Sequence, residues 1–310
     1  MADRPRPSGN RFLAVPNPDI QFVSSGAAVL DCALGGGWPL GRIVNIVGDK
    51  STGKTLLAIE ACANFARQYS TGLIWYAETE AAFDEKYAAS LGLPLDRIGF
   101  PKKLETVEDL HKNLVEKIDK AMTAKVPALY ILDSLDALSD DAEMERKIGE
   151  GSYGTGKAKQ MSEMLRRLTQ GVYAANMLLM IVSQVRSNIG VTFGRATTRS
   201  GGRALDFYAS QVLFLAHLKA EKRTINKVER VTGIRIRAKV DKNKIGLPLR
   251  ECEFSIRFGF GIDDEGASKD WLKSVGVNEA DIIDAALDII VRRKWAEIET
   301  SFLPQRRKYQ

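Results

Sequence analysis

Gly48-Asp-Lys-Ser-Thr-Gly-Lys-Thr55 decides the fold, because it fits the phosphate-binding loop pattern G-x-x-x-x-G-K-[ST]. A β-branched run over 42–47 precedes it and predicts a buried strand, and apolar residues at helical spacing predict a helix over 55–69. Strand, glycine-rich loop and helix stand in the order that points backbone N–H groups at phosphates. The pattern therefore predicts a nucleoside triphosphate site. Its predicted binding residues here are Gly48, Asp49, Lys50, Ser51, Thr52, Gly53, Lys54, Thr55 and Leu56.

Bulk composition limits the class of protein. The chain has 310 residues and 45% hydrophobic content, which predicts one large core with a small appended domain. No apolar run approaches the roughly 18 residues that cross a bilayer, and no secretion signal begins the sequence, so we expect a cytoplasmic protein without a membrane partner. The cysteines Cys32, Cys62 and Cys252 lie in no metal-ligand spacing, which predicts reduced, buried side chains.

Positive charge is concentrated in two places. The stretch from Lys219 to Arg250 contains eleven Lys or Arg residues and three acidic residues. The stretch from Val185 to Arg203 contains four Arg residues and no acidic residue. This concentration of charge indicates a polyanionic partner, and nucleic acid is the first candidate. A solvated basic face is the alternative.

Alternating patterns predict an α/β fold with a mostly parallel twisted sheet. Strand-like runs over 73–77, 128–132, 177–182 and 211–215 alternate with helical patterns over 111–121 and 161–174. Ligands should then lie at the carboxyl ends of the strands.

Three regions are expected along the chain. Residues 1–23 hold four of the ten prolines and predict an extended arm, 24–264 the core, and 265–310 a small helical region with a basic tail. Segments 233–240 and 251–257 alternate apolar and polar residues and predict antiparallel strands at the sheet edge. In the last region one helical face is predicted from Ile282, Ala286, Ile289 and Ile290.

Polar residues at strand ends are the candidates for chemistry. Asp133 ends a strand-like run and, with the Thr55 hydroxyl, predicts a Mg²⁺ site. Glu78 and Glu80 follow another run, and either could orient a water molecule; the pattern does not choose between them. Gln184 closes a third run before a glycine-rich basic stretch, which suits a phosphate sensor that moves a nucleic-acid-binding segment. An ordinary mobile surface loop is the alternative for that stretch.

Several ordered motifs resemble the RecA recombinase family from about Ser24 to Gly261. They are Leu40-Gly-Arg-Ile-Val44, Ala77-Glu-Thr-Glu80, Leu132-Asp-Ser134, Ser183-Gln-Val-Arg186, Ile189-Gly-Val-Thr-Phe-Gly194, Gly201-Gly-Arg-Ala-Leu-Asp-Phe-Tyr-Ala-Ser210 and Lys242-Asn-Lys-Ile245. The resemblance implies a RecA-like P-loop ATPase core with antiparallel edge strands, a short N-terminal arm and a small helical C-terminal region.

The resemblance also implies roles for single residues. Glu80 matches the water-activating glutamate, Gln184 the sensor of the ATP γ-phosphate, and Ser134 accompanies Asp133 at the nucleotide. Tyr87 resembles the residue that stacks on adenine, with Asp84 near the base. Lys242 and Lys244 resemble lysines that reach the ATP of a neighbouring subunit, and Phe207 an aromatic residue of that boundary; strand-end surface lysines are the alternative.

Two DNA-binding segments are implied. The first, over about 150–159, supplies Tyr153, Gly154, Lys157 and Lys159. The second, over about 185–202, supplies Arg186, Ser187, Asn188, Ile189, Gly190, Val191, Phe193, Arg195, Arg199, Gly201 and Gly202.

These features lead us to expect a DNA-dependent ATPase that uses ATP and Mg²⁺. It would bind single-stranded DNA as a helical filament and exchange strands with homologous double-stranded DNA, with loading or single-strand-binding proteins as further partners. The short ends resemble phage or plasmid versions of the family. A recombination mediator that makes no filament is the alternative, favoured by the short arm and Asp206. A ring-forming helicase shares the core but does not predict the Ile189–Gly194 motif.

Overall fold

The strand and helix predicted on either side of Gly48 are both present in the computed structural model. Strand β3 ends at the first glycine of the motif, and helix α2 begins at its lysine. The structure describes residues 16–80, 83–102, 104–146, 156–187, 197–199 and 202–304. Of the two basic stretches singled out in the sequence, 219–250 is described in full and 185–203 only in part.

Strands and helices alternate along most of the chain. The strands are β1 (Phe22–Val23), β2 (Trp38–Pro39), β3 (Ile43–Gly48), β4 (Leu73–Glu78), β5 (Ile98–Gly99), β6 (Ala128–Asp133), β7 (Met177–Ser187), β8 (Thr197–Arg199), β9 (Gln211–Ile225), β10 (Val228–Asn243), β11 (Glu251–Arg257) and β12 (Gly261–Ile262). The helices are α1 (Ala28–Leu34), α2 (Lys54–Gln68), α3 (Glu85–Ser90), α4 (Val107–Ala124), α5 (Asp141–Glu145), α6 (Gly156–Ala174), α7 (Gly202–Tyr208), α8 (Asp264–Ser274) and α9 (Leu287–Ser301).

One sheet organises the molecule. Its order is β12-β11-β10-β9-β3-β7-β6-β4-β5, with β8 paired to β7. The pairs from β9 through β3, β7, β6 and β4 to β5 are parallel, whereas β10, β11 and β12 extend the sheet as antiparallel strands. The expected mostly parallel α/β core with antiparallel edge strands is confirmed.

A hydrophobic cluster covers each face of the sheet, because successive strand residues point to opposite sides. On β3, Val44 and Ile46 join the cluster packed by α1, α2, α8 and α9. Ile43 and Val47 join the cluster packed by α4, α6 and α7. The cysteines are free, and Cys32 is half-buried while the other two are buried. No helix in the described ranges is both long and apolar enough to cross a membrane.

The apolar face predicted in the last region is wrong as one continuous helical face, although Ile282 and Ile290 do pack, partly buried, against the core. Two short 3₁₀ turns, Glu279–Asp281 and Asp284–Ala286, interrupt the helical period between α8 and α9. Ile289 is consequently exposed, and the buried positions of α9 include Leu287 and Val291 instead. Trp271 and Trp295 stack between the two helices, with their ring centroids 5.2 Å apart.

Candidate functional site

The loop between β3 and α2 has a backbone that favours small residues. Ser51 (φ 57°) and Gly53 (φ 86°) adopt left-handed conformations. A Cβ atom on Gly53 would lie 2.3 Å from the Ile256 side chain, and one on Gly48 would lie 2.5 Å from the Thr52 hydroxyl. A concave loop of this kind presents backbone N–H groups to an anion, so its shape fits the phosphates of a nucleotide.

Lys54 lies over this loop. Its side chain is buried, and its Nζ donates to the carbonyl oxygen of Asp49 at 2.6 Å. Burial lowers the pKa of Lys54, an effect opposed by the negative charges of Asp133, Asp49 and Glu80. The ammonium is thus held among acidic groups at the mouth of the loop, where its charge can neutralise phosphate oxygens.

Asp133 lies beside Thr55 at the end of β6. Its carboxylate accepts a hydrogen bond from the Tyr76 hydroxyl at 2.7 Å and a second from the Thr55 hydroxyl. Burial raises the pKa of Asp133 above its ordinary 3.8, and the two hydroxyl donors oppose that rise. The described ranges contain no group of three or more His, Cys, Asp or Glu that could hold a metal. One carboxylate and one hydroxyl suit Mg²⁺, which takes its remaining ligands from phosphates and water.

Glu80 and Gln184 meet across the carboxyl edge of the sheet. Gln184 Nε2 donates to Glu80 Oε1 at 3.2 Å, whereas the Glu78 carboxylate accepts the backbone N–H of Glu80 at 2.8 Å. The Glu80 side chain therefore contacts the predicted phosphate sensor, whereas the Glu78 side chain accepts a hydrogen bond from the backbone two residues along. Of the two glutamates left open by the sequence, Glu80 is the one whose carboxylate contacts Gln184.

Asp84 and Tyr87 are linked through the start of α3. The Asp84 carboxylate caps the helix by accepting from the Tyr87 backbone N–H at 3.0 Å. Tyr87 is 38% exposed. The cap therefore fixes the helix turn that presents this ring, and the ring surface is accessible to a flat ligand.

The residues predicted to reach a neighbouring subunit, Phe207, Lys242 and Lys244, lie together at the end of α7. Lys242 Nζ donates to the carbonyl oxygens of Asp206 and Phe207, the latter at 3.0 Å. Lys244 Nζ donates to the Phe207 carbonyl at 3.2 Å and lies 5.9 Å from the centroid of the Phe207 ring, which is 69% exposed. We name Phe207, Lys242 and Lys244 the lysine cluster.

Strand register puts the lysine cluster near the amino ends of the parallel strands and the phosphate loop at their carboxyl ends. Gln211, where β9 begins, pairs with Val44 on β3 and with Asn243 on β10. From Val44 the strand runs to Gly48, a rise of roughly 13 Å at the usual spacing. The lysines therefore lie at the amino edge of the strands, away from the loop of their own chain.

The two predicted DNA-binding segments are described in part. Tyr153, Gly154, Asn188, Ile189, Gly190, Val191, Phe193, Arg195 and Gly201 lie outside the described residues, as does most of the N-terminal arm. The backbones of Arg186 and Ser187 continue β7, Arg199 pairs with Val185 through β8, and Gly202 begins α7.

The lysines at the start of α6 have different surroundings. Lys157 Nζ donates to the carbonyl oxygens of Leu135, Asp136 and Leu138, at 3.0 and 3.4 Å to the first two. Lys159 is exposed to solvent. The structure thus gives Lys157 contacts within the protein, although the sequence grouped both lysines as DNA ligands.

The sequence reasoning missed Tyr76 and Asp136. Tyr76 orients Asp133, and the Asp136 carboxylate accepts the backbone N–H of Gln184 at 2.7 Å. Asp136 had a usable signal, because it is an acid three residues past the strand-end Asp133. Tyr76 had none, since a tyrosine inside an apolar run is typical of a core residue.

Comparison with known proteins gives matches over most of the chain. A sequence model of the RecA N-terminal domain matches residues 11–263. The chain is 35% identical over 258 residues to "Protein RecA" of Nostoc punctiforme, covering 83% of this chain and 68% of that protein. For the proteins of the same name from Synechococcus strains WH7803 and CC9605 the identities are 35% and 36%, with 64% and 66% of those proteins covered. The match therefore spans about two thirds of each relative's length.

Proposed function

This chain belongs to the RecA family, and from that premise we propose that it is an ATP-dependent DNA recombinase. It binds single-stranded DNA as a helical filament, pairs it with homologous double-stranded DNA and exchanges strands. ATP hydrolysis is stimulated by the DNA. The observation that carries the proposal is that the lysine cluster and the phosphate loop lie at opposite ends of the parallel strands.

That placement favours head-to-tail assembly. A subunit that carries one half of a site on one side and the other half on the opposite side makes heterologous contacts with its neighbours. Such contacts produce closed rings or open helices. In such an assembly Lys242 and Lys244 of one subunit approach the phosphate loop of the next. Their ammonium groups act there as an arginine finger does, by stabilising charge that develops on the transferred phosphoryl group.

Each residue at the carboxyl edge has a defined task in this proposal. Lys54 neutralises phosphate charge, while Thr55 and Asp133 hold Mg²⁺, which supplies electrostatic stabilisation of the phosphates when bound. Glu80 orients the attacking water and accepts its proton. Asp84 positions Tyr87, whose ring stacks on the adenine.

Gln184 links the nucleotide to DNA binding. Its side chain bonds to Glu80, and its backbone lies where β7 leads into the second predicted DNA segment. A phosphate that competes for the Gln184 amide changes the start of that segment, so the nucleotide state sets DNA affinity. Arginines of the segment supply phosphate contacts, and Ile189 and Phe193 contact bases without reading sequence.

The test is ATP turnover measured with and without single-stranded DNA, with the same samples imaged by electron microscopy in a slowly hydrolysed ATP analogue. We expect DNA-stimulated turnover and continuous filaments, and DNA binding that weakens steeply with salt. ATP binding without stimulation or filaments would instead support the mediator.

A further inference from the structure

The segment Asp133–Asp140, which we name the junction segment, forms hydrogen bonds with Thr79, the residue before Glu80. Thr79 N donates to the Asp133 carbonyl at 2.9 Å. The Thr79 hydroxyl donates to the Ser134 carbonyl at 2.6 Å and accepts from the Ser134 N–H at 2.8 Å. Three hydrogen bonds thus fix the residue directly before Glu80, and the junction segment cannot shift without moving it.

Asp136 ties the same segment to the second predicted DNA segment. Its carboxylate accepts the backbone N–H of Gln184 at 2.7 Å, a charge-assisted hydrogen bond. The side chain of Gln184 bonds to Glu80 on the other side. Gln184 is therefore held at both its backbone and its side chain by groups at the candidate nucleotide site.

Lys157 ties the junction segment to the first predicted DNA segment. Lys157 is half-buried, and its ammonium donates to the carbonyls of Leu135, Asp136 and Leu138, which surround a single 3₁₀ turn. Lys157 is the second residue of α6, so it connects the turn to a helix that follows the first predicted DNA segment along the chain.

The contact between α6 and the junction segment is also tight. A Cβ atom on Gly156 would lie 2.5 Å from the Asp140 carboxylate, which is buried and caps α5. The backbone of α6 therefore approaches this segment more closely than a side chain at that position would allow. The junction segment and the first turn of α6 are therefore in direct contact.

We propose that Asp136 and Lys157 are positioning residues that couple the nucleotide to both DNA-binding segments at once. Asp136 acts on the second segment through Gln184, and Lys157 acts on the first through α6. This inference rests on the proposed function. Its measurable content is a coupling factor, the ratio of the DNA affinity with a slowly hydrolysed ATP analogue to the affinity with ADP.

Lys157→Met and Lys159→Met form the first matched pair. The affinity of each full-length variant for a labelled single-stranded oligonucleotide is measured by fluorescence anisotropy with the analogue and with ADP. Lys157→Met lowers the coupling factor at least ~5-fold, the lower end of typical allosteric coupling. We expect Lys159→Met to weaken binding equally in both nucleotides and to leave the factor unchanged, because Lys159 is exposed and its ammonium is available to a DNA phosphate.

Asp136→Ala and Asp136→Asn form a second pair that does not depend on the first. Asparagine keeps an oxygen that accepts the Gln184 N–H, so it retains the coupling factor, whereas alanine loses it. Hydrogen exchange in the nucleotide-free protein gives a readout separate from activity. We expect the Gln184 amide to exchange fastest in Asp136→Ala and closer to the wild-type rate in Asp136→Asn, which keeps a neutral acceptor.

The outcomes separate this inference from the proposed function. A coupling factor of one in the wild-type protein overturns the proposed function. A wild-type factor above one that persists in both Lys157→Met and Asp136→Ala overturns the roles given to these residues. If Lys157→Met fails to fold, as judged by circular dichroism, the Asp136 pair alone decides.

Discussion

Tyr76 and Asp133 show how much one hydrogen bond decides at the scale of a residue. Asp133 is buried, which raises its pKa, yet a metal ligand must be ionised. The Tyr76 hydroxyl, 2.7 Å away, donates to the ionised carboxylate and so opposes the effect of burial. A tyrosine that belongs to the core therefore keeps a candidate metal ligand ready to bind.

Tyr76→Phe should make Mg²⁺-dependent ATP binding more sensitive to acid. The raised pKa of Asp133 means that protons compete with Mg²⁺ at a pH above the ordinary 3.8. Loss of the hydroxyl donor raises that pKa further, so binding is lost at a higher pH than in the wild-type protein. Titration of a fluorescent ATP analogue against pH measures the shift.

Tyr130→Phe is the matched control. Tyr130 is a buried tyrosine on the neighbouring strand, and its hydroxyl bonds to Asn113 at 2.9 Å rather than to Asp133. Its binding curve should superimpose on that of the wild-type protein. A Tyr76→Phe curve that also superimposes would remove Tyr76 from its role.

Glu80→Gln should retain ATP and DNA binding yet slow ATP turnover at least ~100-fold, as expected when a positioned base is lost. Glu78→Gln serves as the control, because a carboxamide oxygen can still accept the Glu80 N–H that Glu78 binds here. Single-turnover hydrolysis of radiolabelled ATP compares the two variants. Near-normal hydrolysis by Glu80→Gln would contradict the assignment.

At the scale of elements, the buried strands could be predicted and the exposed ribbon could not. The apolar runs over 73–77 and 128–132 became β4 and β6 with one added residue each. The run over 211–215 became β9, which continues to Ile225 as an exposed ribbon with β10. That ribbon carries mixed polar residues because neither face is covered, so no apolar period marks it.

The candidate site was predictable for a related reason. Residues that end parallel strands meet at one edge, which brought Asp133, Glu80 and Gln184 into one expected region. The contact between Glu80 and Gln184 was not predictable, because it depends on β6 lying between β4 and β7. Motif order along the chain does not specify that spatial order.

The C-terminal helix α9 is anchored by one buried charge. Arg292 donates to Asp31 on α1 at 3.0 Å, and Asp31 also accepts from Ser24 and Ser25. Arg292→Met leaves the Asp31 carboxylate buried without a cationic partner. We expect a loss of about 1.5–3 kcal/mol in the free energy of unfolding, measured by urea titration.

Arg293→Met, one residue further along, provides the comparison. Arg293 is exposed, and its ion pair with Glu297 is long at 3.9 Å. Its loss should cost less than about 0.5 kcal/mol. Equal effects for the two variants would show that Arg292 acts only as surface charge.

At the scale of the whole molecule, the separation of the phosphate loop from the lysine cluster can be tested by mixing variants. Lys54→Ala removes the loop lysine, and a Lys242→Met/Lys244→Met double variant removes both lysines of the lysine cluster. Each alone should lose ATP turnover. In a 1:1 mixture with random order, about one quarter of the boundaries pair an intact loop with intact lysines, so turnover returns to about that fraction. No recovery would mean that each chain uses its own lysines.

The same separation gives the proposed filament a direction. The subunit at one end keeps a phosphate loop that no neighbour completes, and the subunit at the other end carries lysines with nothing to act on. In such a filament we expect hydrolysis to be slower at the first end than in the interior, so that ATP persists longer there. We therefore expect the two ends to differ in nucleotide lifetime, and growth and disassembly to follow different kinetics at each, although every subunit has the same sequence.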